Sequence, residues 1–287
     1  MRVLVVLAHF FQGKANSIYS STNEKLRDRR QQSLQSVISQ WRSLVWPTST
    51  LDIDTRSFKT THRPALEMDI VVLIHKDNHL LTQEMVQRFE IRPRNVATDD
   101  TRMIPFAAHT VMKEGLNRYD WFIYSEEDLL VHDNLFFLKQ QWFQEKFGKH
   151  RLLQPHRYEI NPRAKFLKTY IDGDLKPSFI DPFLARVEED EEQLEFKLES
   201  TAVRIERTKN PHSGFFFLSQ EQLSLWSKKN YFMDLDCSFV GPLESAATLG
   251  ILKTFSVYKA AEPNMNFFEV QHLDTKFSGM DLPVKTA

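Results

Sequence analysis

An apolar segment that ends in three consecutive acids is the feature that most constrains this chain. Residues 120–128 read Asp-Trp-Phe-Ile-Tyr-Ser-Glu-Glu-Asp, and the aromatic and β-branched run predicts a buried strand. Three carboxylates at its end are costly without a cation, because like charges this close do not all ionise cheaply. Such oxygen ligands suit Mg²⁺ or Mn²⁺, which usually bridge to substrate phosphates. A solvated acidic turn is the alternative interpretation.

The segments before this strand indicate the fold class. Residues 104–117 predict a helix, with Pro105 at its first position and Gly115 as a stop signal. A helix that leads directly into a buried strand is typical of α/β proteins, whose ligands bind at the carboxyl ends of the strands. Further strands are predicted at residues 2–8, 51–58 and 69–74, and further helices at residues 23–45 and 80–89.

The second half of the chain is less regular. Asp172-Gly173-Asp174 lies between two short apolar segments and predicts a β-hairpin. The acidic run at residues 188–192 is expected to be a solvated loop. Helices are predicted at residues 134–147, 220–228 and 243–252, a strand and loop at residues 152–159, and a turn followed by a strand at residues 211–219. No linker is evident, so we expect one domain over residues 1–287.

Composition excludes several classes of protein. The net charge is −1, so no basic field recruits nucleic acid. Glycine occurs 8 times and no GxGxxG or GxxxxGK[ST] is present, which argues against dinucleotide-binding and P-loop folds. The single cysteine, Cys237, excludes a disulfide framework and fits a reducing compartment. No segment approaches the ~20 apolar residues of a membrane span. We therefore expect a cytoplasmic protein without a transmembrane segment, and peripheral membrane contact stays open.

The order of these elements around the acid motif resembles the GT-A-fold glycosyltransferases, most closely over residues 119–131. The resemblance extends from Arg2 to about Phe277. It implies an α/β fold with a GT-A-like (Rossmann-like) mixed sheet, mainly parallel and flanked by helices. Residues 1–132 would form the nucleotide-sugar-binding half and residues 133–287 the acceptor-binding half. It also implies Mn²⁺ or Mg²⁺ as cofactor, a nucleotide-diphosphate sugar as donor and a carbohydrate or glycolipid as acceptor.

The resemblance also implies roles for the acid motif and for a late histidine. Glu126-Glu127-Asp128 occupies the place of the family's DxD motif, although its first acid is Glu. Asp128 and His272 would be metal ligands, and Glu126 a ribose contact or a support for the metal site. Glu127 is assigned to the same donor site, with a solvated side chain as the alternative.

The catalytic acid is expected at a helix start. Glu244 matches the general base of inverting members, and a first-turn capping acid is the alternative. Asp234 and Asp236 are substitute candidates for the base. In a retaining transferase of the same fold, Glu244 would not be the base. A non-catalytic sugar- or nucleotide-binding protein is the remaining alternative.

The other assignments follow from position in the family's fold. Gly214 would allow close backbone approach to the donor sugar or acceptor, with an ordinary turn as the alternative. His212 and Ser213 would hydrogen-bond sugar hydroxyls. The remaining donor-binding candidates follow the first two buried strands or precede the helix at residue 104: Ala8, His9, Phe10, His75, Asp77 and Arg102.

Overall fold

The computed structural model describes residues 1–15, 17, 20–62, 66–184, 190–198 and 200–284. The strands are β1 (Arg2–Ala8), β2 (Thr48–Asp52), β3 (Ser57–His62), β4 (Glu67–Ile74), β5 (Ile91–Asn95), β6 (Trp121–Glu126), β7 (Leu129–Leu130), β8 (Arg151–Leu153), β9 (His156–Ile160), β10 (Lys168–Tyr170), β11 (Gln193–Leu198), β12 (Thr201–Arg207), β13 (Phe215–Ser219), β14 (Ser256–Ala260) and β15 (Glu269–His272). The helices are α1 (Arg27–Ser43), α2 (Gln83–Arg88), α3 (Ala107–Gly115), α4 (Phe136–Phe147), α5 (Pro177–Ile180), α6 (Gln220–Ser227) and α7 (Pro242–Leu252).

A five-stranded sheet with the order β13-β6-β1-β4-β5 forms the centre of the fold. β1 runs parallel to both β4 and β6, β4 runs parallel to β5, and β13 is antiparallel to β6. The interior of β1 is buried on both faces, as expected for a central parallel strand. The predicted mixed, mainly parallel sheet is therefore confirmed.

Helices cover both faces of this sheet. On one face, Trp41 of α1 and Phe136 of α4 pack against the odd-numbered residues of β6. On the other face, α3, α6 and α7 pack against the even-numbered residues of β6. Gly250 allows α7 to lie against the Trp226 indole, because a Cβ at residue 250 would lie 2.2 Å from that ring.

A second sheet, β10-β9-β15-β7, extends from the acid motif. β7 follows the motif directly, and β15 pairs with it so that His272 lies opposite Leu129. β15 also runs parallel to β9. This pairing brings the end of the chain next to the carboxyl end of β6, far from it in sequence. A third sheet, β11-β12-β14-β8, and the separate β2–β3 hairpin complete the strands.

Three local predictions are wrong. Asp172 does not lie in a hairpin, because its buried carboxylate is bound by two cations and Pro177 begins the short helix α5. Residues 51–58 form two strands and not one, since Arg56 has a positive φ of 51° within the turn that joins β2 to β3. The helix predicted from residue 104 begins with a 3₁₀ segment, Thr101–Phe106, before α3.

The acidic run at residues 188–192 falls partly outside the described residues, which resume at Asp190. Glu191 and Glu192 have exposed side chains, as a solvated loop requires. Asp190 is different, because its carboxylate is buried and binds Arg151 Nε at 3.0 Å. The solvated-loop prediction is therefore wrong for this residue.

Candidate active site

The carboxyl ends of β1, β4 and β6 meet at one edge of the central sheet. Ala8 lies opposite both Leu73 and Glu126 in the strand register. The segment after β1 and the segment that begins with His75 therefore adjoin the acid motif. Because ligands of open α/β sheets bind at this edge, it is the place to look for chemistry.

Glu127 points into the protein, where its carboxylate is fully engaged. One oxygen pairs with Arg30 and the other accepts a hydrogen bond from His9 Nδ1. His9 Nε2 accepts from the Leu80 N–H at 2.8 Å, which requires the proton to be on Nδ1. Burial and the charge of Arg30 lower the pKa of His9 to about 3, so the ring is neutral. The solvated interpretation of Glu127 is wrong, and both nitrogens of His9 are occupied by protein groups.

Asp128 and His272 lie side by side, although they are distant in sequence. His272 Nε2 and Asp128 Oδ2 are 3.6 Å apart, which is beyond hydrogen-bonding distance. His272 Nδ1 lies 2.9 Å from Glu159 Oε1, and Glu159 also accepts the Ser278 N–H at 2.7 Å. The buried Glu159 therefore accepts from His272 Nδ1, and His272 Nε2 faces Asp128. No cluster of three or more His, Cys, Asp or Glu suited to a metal occurs among the described residues.

Glu126 is partly buried beside the glycine of the predicted loop. Gly214 has a φ of +58°, and a Cβ there would lie 2.5 Å from the Glu126 carboxyl carbon. The group that closely approaches the backbone of Gly214 is therefore the Glu126 side chain. Burial raises the pKa of Glu126 to about 7; Arg157 opposes this shift, and the nearby charge of Asp128 adds to it. The nearest cation is Arg157, whose Nη1 lies 3.9 Å from Glu126 Oε2.

Arg157 belongs to a buried ion cluster. Asp172 binds Arg157 Nη2 at 2.8 Å and Lys259 Nζ at 3.0 Å. Burial alone would raise the pKa of Asp172, but Lys259 and Arg157 outweigh it and hold that pKa below its usual value. Lys259 also donates to the His212 carbonyl at 3.1 Å, which links this cluster to the loop before Gly214.

Glu244 occupies the third position of α7. Its side chain is half-buried and its charge contributes to the raised pKa of Glu126, so the two carboxylates lie within electrostatic reach. The helix N-terminus has Gly241 as its N-cap, without a side-chain cap. A carboxylate here interacts favourably with the positive end of the helix dipole. The Tyr124 hydroxyl, buried and without a hydrogen-bond partner, lies within the field of the same two glutamates.

Asp234 and Asp236 lie near the other end of α7. Asp236 binds Lys253 Nζ at 2.8 Å, and Asp234 lies 3.8 Å from the same nitrogen. Hydrogen bonds from Lys253 and Ser238 lower the pKa of Asp236 to about 2. Both substitute candidates are thus paired at the end of α7 opposite Glu244.

The remaining predicted residues are distributed around the edge. His75 Nδ1 lies 3.0 Å from the Val96 carbonyl, and Phe10 is partly buried against the core on the α3 side. Asp77 is exposed, whereas Arg102 is exposed and paired with Asp100 at 2.7 Å. The two predicted sugar-binding residues make internal contacts: His212 Nδ1 lies 3.1 Å from Thr248 Oγ1, and Ser213 Oγ donates to the Pro155 carbonyl at 3.0 Å.

Sequence reasoning missed four residues of this site: Arg30, Tyr124, Arg157 and Glu159. A usable signal existed only for the last two. They alternate with aromatic and aliphatic residues along β9, so they share the face that meets the acid motif and His272. In the sequence, nothing distinguishes Arg30 from other residues of a helix or Tyr124 from other residues of a strand.

No protein-family model and no curated protein matches the sequence. Several solved structures match parts of the chain at 10–14% identity. Mouse xyloside xylosyltransferase 1 matches at 10% identity over 88% of this chain and 82% of its own, with a TM-score of 0.40. Mannose-1-phosphate geranyltransferase from Thermus thermophilus matches at 10% identity over 90% of this chain and 72% of its own, with a TM-score of 0.38.

This chain covers little more than half of the length of two further solved structures. Glucosyl-3-phosphoglycerate synthase from Mycobacterium tuberculosis, in complex with Mg²⁺ and uridine-diphosphate, matches at 14% identity over 78% of this chain and 58% of its own, with a TM-score of 0.34. 4-Diphosphocytidyl-2C-methyl-D-erythritolsynthase from Anaerococcus prevotii matches at 11% identity over 56% of each chain, with a TM-score of 0.29. At these TM-scores, function has to be argued from the site itself.

None of the described helices combines the length and the hydropathy that a membrane span needs.

Proposed function

We propose that this protein is a metal-dependent glycosyltransferase that moves a sugar from a nucleotide-diphosphate sugar to an acceptor hydroxyl. The observation that carries the proposal is the pair formed by Asp128 Oδ2 and His272 Nε2, 3.6 Å apart at the carboxyl edge of the sheet. A carboxylate oxygen and an imidazole nitrogen that face each other at this edge are ligand types that a divalent cation accepts. Glu159 adds the carboxylate that usually orients a metal-binding histidine.

This donor set suits Mn²⁺ or Mg²⁺. Carboxylate oxygen suits both ions and imidazole nitrogen suits the transition metals. With Asp128 and His272 as protein ligands, phosphate oxygens and water would complete the coordination, as is usual for Mg²⁺ at phosphate sites. When bound, the cation would offset the negative charge that develops on the diphosphate leaving group.

Glu244 is the proposed general base of an inverting reaction. It would take the proton of the acceptor hydroxyl as that oxygen attacks the anomeric carbon, through a transition state of oxocarbenium character. The N-terminus of α7 favours the ionised carboxylate that this step requires. Glu126 would contact the donor ribose or support the metal pair.

The proposal extends to the two halves of the chain. Residues 1–132 would bind the nucleotide-sugar donor, with the base and ribose at the loop of Ala8, His9 and Phe10 and at His75 and Asp77. Residues 133–287 would bind a carbohydrate or glycolipid acceptor, and the two halves would form one domain. The reaction would take place in the cytoplasm.

A thermal-shift panel tests the donor site. Nucleoside diphosphates are added with and without Mn²⁺ or Mg²⁺ to the wild type, to Asp128→Ala and to Asp52→Ala, a control in the distant β2–β3 hairpin. A ligand at ~100 times its Kd adds about 2.7 kcal/mol to the free energy of unfolding. We expect a metal-dependent shift with one nucleotide in the wild type and the control, and none in Asp128→Ala. The absence of a shift with every nucleotide would count against the transferase.

A further inference from the structure

The connection between β9 and β10 exposes apolar side chains. We call this segment, residues 160–168, the β9–β10 loop. Ile160, Phe166 and Leu167 are 40%, 52% and 63% exposed. The loop is closed by a hydrogen bond that the Asn161 N–H donates to the Leu167 carbonyl at 2.9 Å. The backbone therefore holds the three apolar side chains on one short loop.

The turn that follows β15 lies against this loop. We call this segment, residues 275–280, the β15 turn. A Cβ at Gly279 would lie 3.8 Å from the Asn161 side chain, so the two segments are in contact. Phe277 and Met280, on the same turn, are 41% and 47% exposed. Apolar side chains from both segments thus belong to one surface.

The two segments contain cations and neither Asp nor Glu. Their four cations are Arg163, Lys165, Lys168 and Lys276. Lys168 binds Glu269 at 2.6 Å, and the other three side chains are exposed. Of the flanking acids, Asp274 binds Arg29 at 3.1 Å and Asp281 is exposed. The surface therefore carries net positive charge, although the net charge of the whole chain is −1.

Exposed apolar side chains interspersed with cations match a lipid bilayer with anionic head groups. Binding of this kind combines the burial of apolar side chains at the head-group boundary with the attraction between Lys or Arg and acidic lipids. A nucleic acid would satisfy the cations and leave Phe166 and Leu167 in water. The combination of charge and apolar area therefore favours the bilayer over a polyanion in solution.

We propose that the β9–β10 loop and the β15 turn dock this protein on an anionic membrane surface. Glu159 directly precedes the loop and lies 2.9 Å from Nδ1 of His272, which shortly precedes the turn. Docking would therefore bring the pair of Asp128 and His272 close to the lipid head groups. The docking goes beyond the proposed function and does not depend on it. Only one consequence rests on that function, namely that the acceptor is a glycolipid and not a free carbohydrate.

Co-sedimentation with vesicles tests the docking. The full chain is mixed, without nucleotide or metal, with vesicles of phosphatidylcholine alone or of equal parts phosphatidylcholine and phosphatidylglycerol. Two variants of the β9–β10 loop separate the contributions. The charge variant is Arg163→Gln, Lys165→Gln, and the apolar variant is Phe166→Ser, Leu167→Ser. All four side chains are exposed, so the urea midpoints of the variants should match that of the wild type.

Each variant has a matched control elsewhere on the surface. Lys228→Gln, Lys229→Gln removes two neighbouring exposed lysines after α6. Leu51→Ser, Phe58→Ser removes two side chains of the β2–β3 hairpin that are 55% and 77% exposed. Both controls should bind vesicles as the wild type does.

We expect the wild type to bind the phosphatidylglycerol vesicles, to bind them more weakly as salt is added, and to bind phosphatidylcholine alone poorly. The charge variant should lose about fivefold in affinity for each cation removed. The apolar variant should lose at least roughly tenfold, because it buries less apolar area.

The docking would be overturned if the wild type did not bind the anionic vesicles, or if both loop variants bound them as the wild type does. A loss in the charge variant alone would indicate an anionic partner without apolar surface and would also overturn it. So would a loss in the hairpin control with no loss in the loop variants. Because no nucleotide is present, failure of the nucleotide thermal-shift panel would refute the transferase and leave the docking standing.

Discussion

Asp172, which is bound to Arg157 of β9, and Asp128, which lies against His272 of β15, are carboxylates in different electrostatic surroundings. Asp172 is buried between Arg157 and Lys259, at 2.8 and 3.0 Å, so its charge is more than balanced. Asp128 instead faces Nε2 of His272 at 3.6 Å. The buried cluster around Asp172 is balanced by protein cations and needs no ligand. The pair of Asp128 and His272 is the one for which we propose a partner outside the chain.

The same difference separates neighbours within the acid motif. Glu127 is enclosed by His9 and Arg30, whereas Asp128, the next residue, is open toward His272. Successive side chains after a strand point in different directions, so three consecutive acids do not form one site. The following substitutions test this contrast between closed carboxylates, which are paired with cations of the protein, and open carboxylates, which are not.

The largest loss of stability is expected from Asp172→Asn. Removing one partner of a buried ion cluster leaves uncompensated charge, which typically costs about 3–5 kcal/mol. Urea denaturation should show this loss. Asp128→Asn is the matched control, and its free energy of unfolding should stay within about 1 kcal/mol of the wild type. Equal losses in the two variants would contradict the distinction between closed and open carboxylates.

Glu244→Gln should abolish most turnover while leaving the donor site intact. A general base contributes about 10²–10⁴-fold to the rate, and glutamine accepts no proton. The measurement is kcat with the nucleotide sugar that the thermal-shift panel selects, together with nucleotide affinity, which should not change. Asp236→Asn, whose carboxylate is already bound by Lys253, is the control. Substantial remaining activity would instead favour a retaining transferase.

Gly214→Ala should affect both stability and ligand binding. A positive φ at alanine costs about 1–2 kcal/mol, and the new Cβ would displace the Glu126 carboxyl group. Gly148→Ala is the control, because Gly148 also has a positive φ but no atom lies within 4 Å of the position that a Cβ would take there. We expect both variants to lose stability and only Gly214→Ala to bind the nucleotide more weakly. Unchanged nucleotide binding would separate Glu126 from the donor site.

A pH dependence of stability is expected at His109. This ring is buried among aromatic side chains, and burial lowers its pKa from 6.5 to about 4. Between these values the unfolded chain binds a proton that the folded chain does not, so stability falls as the pH falls. The slope is about 1.4 kcal/mol per pH unit, and it ends near pH 4.

His109→Gln keeps a donor for the Ala246 carbonyl, which His109 Nε2 meets at 2.9 Å, and removes the titration. Urea denaturation from pH 7 to pH 5 measures the free energy of unfolding of both proteins. As the pH falls, the value for the wild type should decrease relative to the value for the variant. A pH-independent difference would show that His109 does not titrate in this way.

The amino-acid sequence alone determined four of the five strands of the central sheet, β1, β4, β6 and β13, and the edge at which the parallel ones end, whereas β5 was not predicted. Runs such as residues 3–7 and 121–125 are apolar enough to require burial on both faces, so β1 and β6 followed from periodicity and composition. The acid motif then had to lie at the carboxyl edge. Asp128 and His272 were paired from the family resemblance, and the pairing of β15 with β7 brings them together.

Only the tertiary structure decided which charges are closed and which are open. Asp172 looked like a turn residue because a sequence does not reveal cations from β9 and β14 converging on it. Glu159 looked like an ordinary strand residue, although it orients His272 across two paired strands. The spacing of apolar and polar residues within a segment indicates which of its side chains are buried. The partner of a charge depends on contacts between distant segments, and those exist only once the sheets and helices have packed.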